Sequence, residues 1–313
     1  MAAGPPSLRE AHAQIESSSF PVTQILETAR VAATGGFSPA LVTNDAGSFF
    51  SNPALLTEKM HGMFSVTYLN HVAGLNSGTV AYAFQVDSLS TAGIGVRYLS
   101  FGSIDRSDQD GRRSGTFNAS DLDLSISGSR LTSSGLRYGA NVHFLLSSLD
   151  GESASALSFD GGLLYEVDDR GLAIGLTIHH AGFVMSSIGS KNARLPVDLR
   201  IGVSKKLTHT PLLLTLSMYR INKLGEAPKE LSNLARLMYH VILGGEFQFS
   251  RNFQLRLGYN FRRHDELGLK SRLDFAGVST GFGLQISRIG IDYAFSSWSS
   301  LGGLHRFTVR TSL

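Results

Sequence analysis

The sequence predicts an all-β fold, a transmembrane antiparallel β-barrel of about 14 strands with an N-terminal plug segment, the architecture of bacterial outer-membrane proteins. Three observations carry that prediction. Apolar and small or polar residues alternate with period 2 from Met63 to the C-terminus, the connections between the alternating runs are short and long in turn, and the composition is poor in charge without any long apolar run.

Charged residues make up 17% of the 313-residue chain, below the roughly 25% of ordinary soluble domains, while hydrophobic residues reach 42%. Stretches such as Pro211 to Leu216 and His240 to Leu243 fall far short of the roughly 20 residues a membrane helix needs. A barrel strand turns only every second side chain to lipid, which agrees with the mean hydropathy of +0.04. The 28 basic and 25 acidic residues leave a net charge of +3 and are scattered singly, with no nucleic-acid footprint. There is no cysteine, so disulfides and thiolate metal sites are excluded.

Taken in chain order, residues 1–19 read as a residual or mis-started signal region, because Ala11-His12-Ala13 has the small-x-small form of a cleavage site but no apolar core precedes it. Residues 20–62 are too apolar for a free tail. With a helix-like stretch from Thr23 to Ala33, Gly35-Gly36 and the segment Asn44 to Leu56, they read as a plug folded into the barrel opening. Asn52-Pro53 is turn chemistry that should fix how the plug enters the first strand, and Ala54, Gly35 and Gly36 belong to the same set of plug positions.

Residues 63–313 supply the barrel. Strands are predicted at 63–71, 76–86, 90–101, 118–131, 134–147, 156–167, 171–181, 196–206, 211–221, 239–250, 253–263, 275–287, 288–297 and 304–313. The run from Phe253 to Arg262 is the clearest, with Phe253, Leu255, Leu257, Tyr259 and Phe261 on one face and Gln254, Arg256, Gly258, Asn260 and Arg262 on the other. Connections after even strands are very short, such as Thr132-Ser133 and Arg251-Asn252. Those after odd strands are longer, including Gly102 to Phe117, Gly182 to Leu195, Asn222 to Met238 and His264 to Asp274. A soluble sandwich also alternates but has no reason to sort loop lengths by end, whereas outer-membrane barrels place short turns on the periplasmic side.

No catalytic constellation emerges, so the chain reads as a non-enzyme without cofactor or metal. Gly281-Phe282-Gly283 lies inside a strand, where glycine relieves crowding or lets a plug approach. Asp168-Asp169 reads as turn chemistry, no Ser sits on a nucleophile elbow, and His179-His180 should point to opposite faces of one strand. The inward-facing ionisable residues Arg97, Asp121, Asp123, Arg137, Asp160, Glu166, Asp198, Arg200, Glu246, Arg256, Asp292, Arg306 and Arg310 are of mixed sign and should pair across the lumen and with the plug. The stretch Glu230 to Tyr239, with Leu231, Leu234, Leu237 and Met238 at helical spacing, predicts a short amphipathic helix on an outer loop, offering apolar surface to a partner.

Several segments resemble the FadL superfamily of outer-membrane proteins and, within it, the PorV/PorQ group of the type IX secretion system, the PorQ type above all. Asn44 to Leu56, ending in Asn52-Pro53-Ala54, is similar to the acidic-aromatic stretch leading into Asn-Pro-Ala, and Thr28-Ala29-Arg30 with Gly35-Gly36 resembles an upstream segment. Leu255 to Asn260 with Arg262-Arg263 and Ala276 to Ser279 resembles the late hairpins, and Leu301 to Phe307 the last-strand Leu-Gly-x-x-His signature. The resemblance implies an anchor or component of type IX protein secretion and cell-surface attachment, embedded in outer-membrane lipid and meeting secretion or attachment subunits of the PorZ kind. The alternative it implies is a FadL-like transporter of hydrophobic compounds, whose plug moves to admit a hydrophobic ligand.

Overall fold

The computed structural model describes residues 20–25, 28–70, 74–107, 113–189, 194–268, 274–299 and 302–313. The signal-region expectation for residues 1–19 lies outside them. Fourteen strands run in sequence: β1 (Met63–Asn70), β2 (Asn76–Gln85), β3 (Ser90–Ser107), β4 (Arg113–Leu131), β5 (Leu136–Leu149), β6 (Glu152–Val167) and β7 (Leu172–Ser186) form one half. The other half is β8 (Asp198–Lys206), β9 (Leu212–Met218), β10 (Val241–Gln248), β11 (Phe253–Asn260), β12 (Val278–Ile286), β13 (Ile289–Ser297) and β14 (Gly303–Ser312). Every strand pairs antiparallel with its sequence neighbour, and β1 pairs with β14, from Met63 opposite Ser312 to Asn70 opposite His305, so the sheet closes without an edge.

The sequence alternation becomes inside and outside. On β1, Ser65 and Thr67 are buried while Val66 and Tyr68 are exposed, and on β4 Asp121, Asp123 and Ser125 are buried while Leu124 and Ile126 are exposed. Exposed apolar side chains therefore cover the outer face and polar ones the lumen. A closed sheet of this kind leaves no backbone group unsatisfied in lipid, and the protein is a multi-pass outer-membrane barrel. No described helix is long and apolar enough to cross a membrane.

The wall is lopsided. β3 and β4 are 18 and 19 residues long, whereas β9, β10 and β11 have 7, 8 and 8. Much of the predicted loop Gly102 to Phe117 is thus strand, continued past a bulge between Ser100 and Ser103, and β7 likewise runs on to Ser186. The predicted long connection between β5 and β6 is a two-residue turn: Asp150 and Gly151 take φ of 51° and 85°, the left-handed pair that a tight hairpin requires. On the low side the predicted strand at 253–263 stops at Asn260. Its Oδ1 accepts from Arg263 N at 3.0 Å and caps a helix, Phe261–Leu267, that carries Arg262 and Arg263 out of the sheet.

Inside the barrel, the described residues between 20 and 60 are mostly buried. The predicted helix-like stretch Thr23 to Ala33 divides into a 3-10 turn, Pro21–Gln24, ended by extended Ile25, and the helix α1 (Ala29–Ala33), capped by Thr28. Further 3-10 turns follow at Ala46–Phe50, Pro53–Leu55 and Glu58–Met60.

Candidate functional site: the plug and its seat

The plug lies against the wall at lumen-facing glycines, where a side chain would occupy its space. A Cβ on Gly258 would come 2.1 Å from Gly35 N, one on Gly175 would meet Pro39 O at 2.2 Å, and one on Gly162 would meet Asn52 Oδ1 at 2.0 Å. Gly35 and Gly36 adopt φ of 95° and 104° after α1, a reversal that residues with a Cβ rarely make. Alanines on α1 serve the same close approach: Ala29, Ala32 and Ala33 are buried against Ala294.

Asn52 is fully buried, and its amide Nδ2 donates to Pro39 O at 2.7 Å and to Leu163 O on β6 at 3.1 Å. Its Oδ1 accepts from Ala54 N at 2.9 Å, closing the turn that starts at Pro53. Asn52-Pro53-Ala54 therefore presses the plug onto β5 and β6, where Gly139 and Gly162 leave room. Entry into β1 is made later, through the turn Glu58–Met60 and Gly62 at φ 71°, because the chain must first cross from β6 to β1.

Two polar networks hold the plug. In the first, Arg30 of α1 makes a two-pronged pair with Glu246 of β10, at 2.8 Å and 3.0 Å, and donates to Val42 O at 3.3 Å. Glu246 accepts from Arg256 at 2.7 Å, Arg256 reaches Asp292 at 2.5 Å, and Asp292 pairs with Arg310. Three arginines thus share two carboxylates across β10, β11, β13 and β14. This layer floors a cavity of about 630 Å³ at the short-turn rim, lined also by Lys206, Arg251 and Arg288.

In the second network, Arg97 of β3 donates to Asp123 Oδ2 at 2.5 Å and 2.9 Å and lies over the Phe50 ring of the plug at 4.5 Å. His143 sits between Asp123, 3.1 Å from Nδ1, and Asp160, 2.9 Å from Nε2. Asp160 also meets His179 Nδ1 at 3.0 Å, and His179 Nε2 lies 3.1 Å from the plug carbonyl of Ser51. Asn141 donates to Phe49 O at 2.9 Å. The prediction that His179 and His180 occupy opposite faces is overturned. A bulge at Phe159/Gly161 and a φ of 58° at His180 turn both rings inward, and His180 N donates to Asp160 Oδ1 at 2.9 Å.

The predicted lumen residues are thus divided. Glu246, Arg256, Asp292 and Arg310 form one layer and Arg97 belongs to another. Asp198 and Arg200 pair with each other at 2.6 Å beneath Phe37, Arg137 reaches Glu58 at 3.0 Å, and Arg306 is buried on β14. Arg30 and His143 were not singled out as lumen charges in the sequence, and His179 was read only with His180, as an inside-outside pair. His143 and His179 hold inward positions on alternating strands, but which of them meet carboxylates depends on register. On the outer loop, the helix α2 (Asn233–Met238) exposes Leu234 and Leu237, while Leu231, which precedes it, and Met238 are half-buried.

A third feature lies toward the long-loop rim. Phe20 and Val22 are fully buried in an apolar cluster with Leu99, Leu145, Ala154 and Ala156, roofed by Leu75, Phe101, Ile188 and Leu195. Val22 N donates to Asp121 Oδ2 at 3.1 Å.

These elements define a fourteen-stranded outer-membrane barrel whose lumen holds its own N-terminal segment. The fold is shared with the Pseudomonas putida toluene transporter TodX, at a TM-score of 0.56 and 15% identity over 91% of this chain and 96% of that one. It is shared as well with a Pseudomonas aeruginosa FadL homologue, at 0.56 and 11% over 92% and 98%. A TodX mutant described as a monoaromatic hydrocarbon channel gives 0.58 and 14% over 91% and 98%. No protein family model matches the chain, and no curated protein matches it in sequence. The likeness is one of fold, and of these neighbours TodX is described as a transporter and its mutant as a channel.

Proposed function

We propose that this barrel carries small hydrophobic compounds across the outer membrane, with the N-terminal plug as its gate. The observation behind this reading is the apolar chamber around Phe20 and Val22 in a lumen otherwise lined by Ser, Thr, Asp, Arg and His. A water-filled pore gives no reason to place Leu99 and Leu145 inward, whereas a path for apolar solutes needs such a lining. The chain's own Phe20 and Val22 occupy that lining in the closed state. The toluene transporter with the same fold supports the reading. Cells expressing the protein should take up radiolabelled toluene faster than cells lacking it, and Leu145→Asp should abolish the difference. Equal uptake with and without the protein would sink the proposal.

A second reading, an anchor in type IX secretion and surface attachment, draws on the sequence resemblance and on a plug clamped by two charged networks. Its partner would be a PorZ-like subunit docking at Leu231, Leu234, Leu237 and Met238. Normal cargo export and attachment after deletion of the gene would remove it.

A further inference from the structure

The loop joining β9 to β10 and the helix α3 (Phe261–Leu267) bring a group of cationic side chains together at the outer mouth, on the low side of the wall. Arg262 Nε pairs with Glu266 at 2.7 Å, and its guanidinium lies 5.1 Å from the centre of the Tyr239 ring. Tyr239 donates its hydroxyl to the same Glu266 at 2.5 Å. Arg220 meets Glu226 at 2.5 Å, and Lys223 reaches that carboxylate at 3.5 Å. His240 Nδ1 contacts Tyr219 O at 3.1 Å, and the Tyr239 and His240 rings are 5.5 Å apart. Glu226 and Glu266 thus face Arg220, Lys223, Arg262 and Arg263.

The excess charge is accompanied by unused hydrogen-bonding capacity. Arg262 Nη1 and Arg263 Nη1 are buried without a hydrogen-bond partner among the described residues, and Arg263 makes no ion pair there. A buried guanidinium N–H left unpaired costs about 1–3 kcal/mol or more, so its retention points to an acceptor that completes it. An anionic acceptor suits the site, because four cationic side chains face two carboxylates here and both unpartnered donors belong to guanidinium groups, and burial works in the same direction by lowering Arg263 and His240. A phosphate monoester, with up to two charges and oxygens matched to the guanidinium fork, fits this demand.

Height and surroundings give its source. Eight-residue strands such as β10 and β11 extend about 26 Å along their axis and less across the membrane once tilted, no more than the roughly 25 Å apolar band of such barrels. The cluster therefore begins at headgroup level, and Leu224, Leu237 and Phe275 are exposed on the same loops. We propose that Arg262 and Arg263, with Arg220 and His240 beside them, bind the phosphate monoester headgroup of an outer-leaflet lipid.

The test is a titration of the full-length protein, purified in a neutral detergent, with dioctanoyl phosphatidic acid, inorganic phosphate and dioctanoylglycerol. Saturable binding of phosphatidic acid, weakened roughly tenfold or more by Arg263→Gln and largely restored by Arg263→Lys, is expected. Arg251→Gln, on the opposite rim, should leave it unchanged. Equal affinity for inorganic phosphate would keep the site and overturn its lipid source. Equal binding of dioctanoylglycerol, no phosphate binding at all, or an unaltered Arg263→Gln protein would overturn the site. Should Arg263→Gln lose the heat-dependent gel shift of a folded barrel, Arg262→Gln replaces it with the same expected loss.

Discussion

At the residue scale, the plug's hold depends on arginines that share carboxylates, and the sharing decides what each substitution does. Arg256 bridges Glu246 and Asp292 at 2.7 Å and 2.5 Å, so Arg256→Met leaves Asp292 to Arg310 alone and Glu246 to Arg30 alone. Each carboxylate keeps one arginine, so the cost is that of the charge-assisted hydrogen bonds lost, about 1.5–3 kcal/mol apiece. A loss of that size is expected in the reversible unfolding of the barrel in lipid. Arg30→Met differs: Glu246 keeps Arg256, the wall stays neutralised, and the lost contact is the one between wall and plug. Its expected signature is faster proteolysis of the segment before β1 with little change in barrel unfolding. Glycines give a sharper contrast. Gly162→Val drives a side chain into Asn52 and Pro53 and should dislodge the plug, raising single-channel conductance in planar bilayers. Gly128→Val, on β4 where a Cβ meets nothing within 4 Å, should not.

At the element scale, alternation across fourteen runs was enough to place every strand, because a barrel wall with lipid on one side and a polar lumen on the other imposes period 2 on each of them. Boundaries failed where that cause stops acting. The outer ends of β3, β4 and β7 rise beyond the apolar band, where both faces meet polar surroundings and the pattern fades, as in Ser103, Ile104 and Asp105, all exposed. The end of β11 was hidden for another reason: Phe261 continues the alternation, but Asn260 caps a helix instead. The bulge at His180 was equally silent, since two adjacent histidines read as an inside-outside pair until an extra residue is inserted. The turn between β5 and β6 carries its own expectation. Gly151 sits at φ 85°, and Gly151→Ala should lower barrel stability by about 1 kcal/mol through left-handed strain, with the unfolding midpoint as the readout.

At the scale of the whole molecule, barrel and plug are stabilised by different interactions and should be separable. Fourteen antiparallel ladders close the wall without help from residues 20–60, and the exposed apolar face is compensated by lipid. The plug, by contrast, has short 3-10 turns and a five-residue helix, too short to persist alone, and takes its shape from the glycine seats and the two networks. That asymmetry also explains why the plug's site was less legible than the wall: Asn52, Gly162 and Pro39 are far apart in sequence, and no local pattern announces their contact. Deleting residues 20–60 should therefore leave a barrel that still migrates faster unheated than boiled, yet conducts ions more persistently than the intact protein. An unfolded deletion product would mean that the wall needs the plug. A folded but non-conducting one would mean that side chains such as Arg97, His143 and Arg256 close the lumen by themselves.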